Sequence, residues 1–253
     1  MSKIKVSAIS YLNTIPFIYG LQNSSILSKI DLTFDVPSTC AKRLHNNMAD
    51  IGIVPVAIIP SLPQYHIVSN FCIGAKGKVR TVALFSNSKI NEIQTIYIDR
   101  DSRTSALLMR ILARKYWKIT PEFKPLDILN YNEEKTGYML IGDKAFDAES
   151  RFLYSFDLSG EWYKFKKMPF VFATWTANKQ LDERFLYEFN AALAFGINNI
   201  QKAVEMQSNG IDKKTAIEYF EKNISFEFDA LKRHGLTEFW NLALEEINRD
   251  RVC

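Results

Sequence analysis

The stretch KIKVSAISYLNTIPFIYG, residues 3–20, decides how the chain is read. Ile4, Val6 and Ala8 alternate with Lys5 and Ser7, the two-residue period of a strand with one face turned inward. Asn13 and Thr14 follow at once, side chains suited to capping a helix. Pro16 comes next, with the fixed φ and missing N–H that a first helical turn tolerates. The same phrase returns in IDLTFDVPSTCAKRLHNN, residues 30–47. There a strand over 30–36 runs into a helix opened by Pro37-Ser38 and reaching about residue 47. A strand feeding a capped helix, twice in succession, predicts an α/β sheet with a parallel core.

Working outward, further strands are expected at 51–54, 68–75, 79–86, 94–99, 122–126, 138–141 and 170–177. Asp101-Ser102 opens a helix with Leu108, Ile111 and Leu112 at helical spacing, and Ser159 begins a short one. From Leu181 the pattern is helical, over 182–203, 213–222 and 229–248. A helical tail after such alternation is expected to return to the first lobe. The resulting expectation is two α/β lobes with a hinged ligand cleft between them. Lobe one is read as 1–85 plus 174–253, and lobe two as 86–173.

Hydrophobic residues make up 47% of 253, enough to give each lobe a core. The net charge of +4 is spread out, which suits a small anion and falls short of a nucleic-acid footprint. Lys164, Lys166 and Lys167 read as a solvated helix face. Cys40, Cys72 and Cys253 form no CxxC pair, so neither a disulfide framework nor a zinc site is expected. His45, His66 and His234 are isolated. No secretory leader and no apolar run of ~18 residues is found. The expectation is a soluble cytoplasmic protein with no nucleic-acid or membrane partner.

In open α/β sheets, ligands sit at the carboxyl ends of strands, where helix N-termini offer unpaired N–H groups to anions. Five junctions qualify. Ser10, Asn13 and Thr14 follow the first strand, with Tyr11 among the aromatic residues, beside Phe17, Phe170 and Trp175, that are able to line a pocket. Ser38 or Thr39 follows the second strand. Ser102, Arg103, Thr104 and Ser105 open a helix as a cradle for a carboxylate, the arginine adding a bidentate contact. Thr81 and Ser86 lie on a presumptive crossover strand. Gly142 lets backbone approach a ligand closely, and Asp143 follows it. Ordinary capping is the competing explanation at each helix start. GxSxG, P-loop, GxGxxG and HExxH motifs are absent.

Taken in order, several pieces resemble a menaquinone-biosynthesis family, the one that contains chorismate dehydratase. They are SYLNTIPF (residues 10–17), PSTCAKRL (37–44), ADIGIVPVA (49–57), GKVRTVALFS (77–86), DSRTSALL (101–108), LIGDKA (140–145) and PFVFATW (169–175). They run over about the first 180 residues. Two departures stand out: Thr81 replaces a serine common in the family, and Lys166-Lys167 replace a usual Thr-Gly. The resemblance implies a periplasmic-binding-protein-like (type II) fold used as an enzyme of the futalosine route, a hydro-lyase. Its implied substrate is chorismate, and its implied product is 3-[(1-carboxyvinyl)oxy]benzoate. It implies Asn13 as the catalytic group, with Ser10, Tyr11, Thr14, Ser38, Thr81, Ser86, Ser102, Arg103, Thr104, Ser105, Gly142 and Asp143 around the substrate. Elimination to an arene changes no oxidation state overall, so no metal or organic cofactor is expected. Two other readings stand beside it. One is a non-catalytic cytoplasmic sensor of a small carboxylate. The other is the sister enzyme forming 1,4-dihydroxy-6-naphthoate, which would depend on a histidine.

Overall fold

The computed structural model describes residues 3–99, 103–127, 133–207 and 210–250, without the side chains of Asp143 and Asp250. The first half contains β1 (Ile4–Ile9), α1 (Ile15–Gln22), β2 (Ile30–Asp35), α2 (Pro37–His45), β3 (Ile51–Pro55), β4 (His66–Ala75), β5 (Val82–Ser86), β6 (Thr95–Ile98), α3 (Arg103–Ile111) and β7 (Glu122–Pro125). The second half contains β8 (Thr136–Ile141), α4 (Asp143–Ala148), β9 (Tyr154–Asp157), α5 (Leu158–Lys166), β10 (Phe170–Ala177), α6 (Glu183–Ile197), α7 (Ile200–Met206), α8 (Lys213–Lys222) and α9 (Ala230–Asp250). The chain forms two compact units. Unit one is Met1–Gly74 with Val171–Asp229, and unit two is Ala75–Phe170 with Ala230–Cys253.

Unit one holds a five-stranded sheet in the order β2-β1-β3-β10-β4. β1 runs parallel to β2 and β3, while β10 runs antiparallel to β3. All of β3 and β10 is buried, as in strands covered on both faces. Phe17, Phe226, Trp175 and Phe189 form a chain of edge-to-face rings with centroids 5.1–5.8 Å apart. Each such pair contributes about 0.5–1.5 kcal/mol beyond its burial. Phe17 and Trp175 are therefore core residues. α1 lies directly on α6, because Gly20 and Gly196 leave the contact bare. A Cβ on Gly20 would stand 2.0 Å from the Ala192 carbonyl oxygen, and one on Gly196 would stand 1.8 Å from that of Pro16.

Unit two holds a second five-stranded sheet, in the order β7-β6-β8-β5-β9. β6 is parallel to β7 and β8, and β5 is antiparallel to both β8 and β9. α3 continues as a π-helical turn, Leu112–Trp117, that ends at Lys118 in the left-handed region with φ 59°. Trp162, Phe170 and Phe239 stack edge to face in its core, which makes Phe170 a packing residue as well.

Three expectations change here. The tail over 230–250 was expected on lobe one, but α9 belongs to unit two. It packs on α3 and ties down the π-helical turn through Arg114 with the buried Glu246, and Lys115 with Glu245. The single helix expected over 182–203 is two helices. Asn198 and Asn199 part them, and the Asn199 side chain donates back to the Phe195 carbonyl at 2.9 Å. The Lys166-Lys167 pair is only in part a solvated face. Lys167 takes the left-handed conformation, φ 57°, in which glycine is the usual residue. Lys166 reaches Glu238 on α9 at 2.5 Å.

Candidate functional site

In unit one the parallel strands β1, β2 and β3 bring their carboxyl ends, Ile9, Asp35 and Pro55, to one edge of the sheet. After β1, the Ser10 N–H donates to the Asp35 carbonyl at 3.3 Å. A 3₁₀ turn, Leu12–Thr14, then leads into α1. Its two outer residues point inward. Leu12 is buried, and so is Thr14, whose hydroxyl lies 2.5 Å from the Ile9 carbonyl and 2.7 Å from that of Tyr11 and accepts from the Tyr11 N–H at 3.3 Å. Thr14 is thus spent on fixing the loop, a correction to its expected place against substrate. Between them Asn13 is half-buried, and its amide makes no hydrogen bond among the described residues. Two donors and an acceptor are held in place with nothing to do. Ser10 is exposed with its hydroxyl equally unused among those residues, and Tyr11 is half-buried.

The junction after β2 differs from expectation. Val36 takes the cap position and Pro37 the first helical one, so Ser38 lies inside the first turn, exposed, and caps nothing. Cys40, one turn on, packs α2 onto the sheet. Its sulfur lies 3.2 Å from the Ser7 carbonyl and 3.1 Å from that of Ile53, and burial pushes its thiol up to about 12.

In unit two the carboxyl ends of β6, β8 and β9 share an edge with the start of β5. Thr81, just before β5, is buried, and its carbonyl accepts the Gly142 N–H at 2.8 Å. Gly142 has φ 62° and ψ −141°, a conformation essentially reserved for glycine, and open space where a Cβ would be. A ligand can come against bare backbone there. α4 begins immediately after it at Asp143, whose side chain lies outside the described residues. In the first turn of α3, Thr104 and Ser105 are both buried and engaged in bonds of their own, while Arg103 is exposed and unpaired among the described residues. Ser102 lies outside them.

Ser86 does not belong to this edge. Because β5 is antiparallel, Val82 pairs with Ile141 at the carboxyl end of β8, and Ser86 pairs with Gly137 near its start. Four residues of strand put Ser86 about 13 Å away. Its hydroxyl donates to the Thr136 carbonyl at 2.8 Å and accepts from the Ser88 N–H at 3.0 Å. It is a structural hydroxyl.

Two carboxylates at this edge escaped the sequence reading. Asp99, buried after β6, accepts from Lys144 of α4 at 3.0 Å. Asp157, at the end of β9, accepts the N–H groups of Val79, Arg80 and Gly160 at 3.1, 2.6 and 2.9 Å. It therefore builds the loop before Thr81, in which Arg80 is held at φ 68°. Burial pushes the Asp157 carboxyl above its ordinary range, against the pull of those three donors. Aspartate is a favoured N-cap residue, and its place just before the helix that starts at Leu158 was the available clue to Asp157.

Each unit thus presents one edge of strand ends and loops. Unit one offers an unspent amide at Asn13, and unit two offers backbone at Gly142 and a cation at Arg103. His45 and His234 are exposed, and His66 sits half-buried at the start of β4. No helix among the described residues is long and apolar enough to cross a membrane.

The two mixed sheets with their flanking helices are the type II periplasmic-binding-protein fold. Protein AF1704 from Archaeoglobus fulgidus superposes with a TM-score of 0.75 over 96% of this chain and 97% of its own, at 17% identity. The Candida albicans CA3427 gene product, described as having the generic periplasmic binding protein fold, gives 0.67 over 96% and 90%, at 12% identity. The aliphatic sulphonate binding protein SsuA from Escherichia coli gives 0.63 over 100% and 88%, at 10% identity. At such identities the likeness is one of fold. The sequence profile of the menaquinone biosynthesis family matches residues 4–245, and the chain belongs to that family.

Proposed function

We propose that the chain is a chorismate dehydratase acting in menaquinone biosynthesis in the cytoplasm. The observation that carries the reading is the Asn13 amide, held in the SYLNTIPF loop with its neighbours turned inward and no hydrogen bond of its own among the described residues. In chorismate the C3 proton is acidified through the ring diene by the C1 carboxylate. When it leaves, the C3–H electron pair becomes the π bond between C3 and C4. The C4–O bond breaks and the hydroxyl departs as water, taking up the proton removed from C3, which leaves an arene. The protein must orient these groups and hold donors where charge grows.

Arg103 and the first turn of α3 take the ring carboxylate. The Thr81 to Gly142 edge takes the enolpyruvyl carboxylate. Asn13 steers that second carboxylate, which itself accepts the C3 proton. Asp99 is tied to Lys144 and Asp157 to three N–H groups, so neither is assigned the base. Asp143 is the rival base, and Asp143→Asn separates the two, since substrate-assisted transfer survives that change.

Purified protein incubated with chorismate, with products separated by chromatography and weighed by mass spectrometry, tests the reading. A product lighter by one water that matches 3-[(1-carboxyvinyl)oxy]benzoate supports it. Chorismate recovered unchanged sinks it.

A further inference from the structure

We propose that Arg80 is a positioning residue for the Thr81 to Gly142 edge: it ties α4 to the start of β5 and so sets where the enolpyruvyl carboxylate is held, an inference that rests on the reading above. α4 is six residues long, too short to hold its own shape. It enters the apolar core around Phe85 and Tyr138 through Ala145 and Ala148, small side chains that bury little surface. Its placement therefore leans on polar ties. At one end the Gly142 N–H donates to the Thr81 carbonyl at 2.8 Å. At the other, Glu149 receives the Nε and Nη2 of Arg80 at 2.8 and 2.9 Å, the two-pronged pairing of guanidinium with carboxylate. The same guanidinium lies 4.9 Å from the centroid of the Phe146 ring. Residues 142 and 149 are about 10 Å apart along a helix axis, yet the consecutive residues Arg80 and Thr81 hold both. Lys144 adds a tie to Asp99.

Arg80 makes this reach from an unusual backbone. Its φ of 68° lies in the left-handed region, where residues with side chains are rare. The N–H groups of Val79 and Arg80 converge on the Asp157 carboxylate at 3.1 and 2.6 Å, which holds the chain there. Glycine would take this φ without strain, and lysine would keep the charge without the planar fork. An arginine that bears the strain is explained by what its side chain grips. The Arg80 and Glu149 side chains are 32% and 37% exposed, so water screens much of their attraction. The pair accordingly does more to place α4 than to keep unit two folded. Val82, two residues on, pairs with Ile141, so the tie leads directly into the strands that carry the edge.

Arg80→Gly, Glu149→Ala, the double variant and Arg80→Lys, each in the full chain, test the inference. The measurements are steady-state kinetics on chorismate, thermal melting, and hydrogen–deuterium exchange of residues 141–149 without ligand. Arg80→Gly is expected to raise KM about tenfold with kcat within a factor of about two, because the edge holds the carboxylate in substrate and transition state alike. Its Tm should stay within about 3 °C of wild type, since relief of strain offsets the lost pair. Glu149→Ala should do the same, and it decides the matter if Arg80→Gly does not fold. The double variant should be no worse than Arg80→Gly, as two halves of one tie require. Arg80→Lys should recover part of the loss. Exchange over 141–149 should quicken in Arg80→Gly and Glu149→Ala. Partial unfolding lowers apparent kcat and leaves KM alone, so a purely structural role would not give this pattern. KM unchanged in both single variants, effects that multiply in the double variant, or exchange unchanged over 141–149 would each overturn the inference. A wild-type chain inactive on chorismate overturns the proposed function instead, and exchange then decides the α4 tie by itself.

Discussion

Replacing Gly196 by alanine sets two opposing effects against each other. Alanine in a helix interior is favoured over glycine by about 1 kcal/mol, so propensity alone makes the variant more stable. The new methyl, however, would stand 1.8 Å from the Pro16 carbonyl oxygen and 2.8 Å from the Gly20 nitrogen, where ordinary contact begins at 3.4 Å. Backbone on α1 cannot rotate away as a side chain can, so α1 and α6 must part by the difference, about 1.6 Å. Overpacking of this kind costs about 1–3 kcal/mol and occasionally more. Parting the helices also loosens contacts along the whole of α1, so we expect a net loss of about 2–3 kcal/mol. In a chain of this size that lowers Tm by about 5–10 °C. Gly20→Ala, whose methyl meets the Ala192 carbonyl at 2.0 Å, should behave alike, while Gly77→Ala, with nothing within 4 Å, should stay within about 0.5 kcal/mol of wild type. The same displacement moves the start of α1 and with it Asn13. A misplacement near 1 Å at a catalytic group costs about 10²-fold in rate, so turnover of chorismate should fall along with stability. Urea and thermal unfolding followed by circular dichroism measure the first effect. A Gly196→Ala variant that melts at or above the wild-type temperature would refute the packing argument.

Other predictions follow from the loops. Asn13→Ala should lower kcat by about 10²–10³-fold with little change in stability, whereas Ser86→Ala should cost about 1–2 kcal/mol of stability and leave kcat within a factor of two; the opposite pattern would exchange their roles. Asp157 has its folded pKa raised by burial, so the folded state holds its proton in a window just above the ordinary carboxylate value where the unfolded state has lost it. Stability should therefore fall as pH rises through that window and then level off. Asp157→Asn should be less stable overall yet lack this slope in urea titrations run from pH 3.5 to 7, and an unchanged slope would rule the assignment out. Cys40 and Cys72 are buried, and the Cys40 thiol is pushed up to about 12. At pH 8 both should resist a thiol reagent until denaturant is added, as mapped by mass spectrometry; prompt labelling of Cys40 in the native protein would contradict its packing.

The units that could be read from sequence were those whose signal is local. β1 with α1, and β2 with α2, announce themselves by alternation, a proline in the first turn, and small polar residues between strand and helix. What could not be read depended on partners distant in the chain. Nothing in VALFS gives the direction of β5, and its antiparallel course is what carries Ser86 to the far edge and keeps Thr81 at the near one. α9 has the apolar spacing of any surface helix, and it is Arg114 and Lys115, more than 100 residues earlier, that hold it to unit two. β9 is four residues long and owes its existence to its antiparallel pairing with β5. Gly20 and Gly196 read as weak helix formers until the two helices are seen in contact. Polar residue types marked the strand-to-helix loops but not which side chains turn inward. Thr14 and Asn13 are neighbours with equal claims in sequence, and the 3₁₀ turn buries one and presents the other.

The most direct test of the central claim is a proton NMR time course of chorismate with the purified chain. The account predicts that the ring C3–H and C4–H signals disappear together while new aromatic signals grow and the enolpyruvyl CH₂ signals persist, faster than in an enzyme-free control. Release of pyruvate with loss of those CH₂ signals, or a spectrum no different from the control, would contradict it.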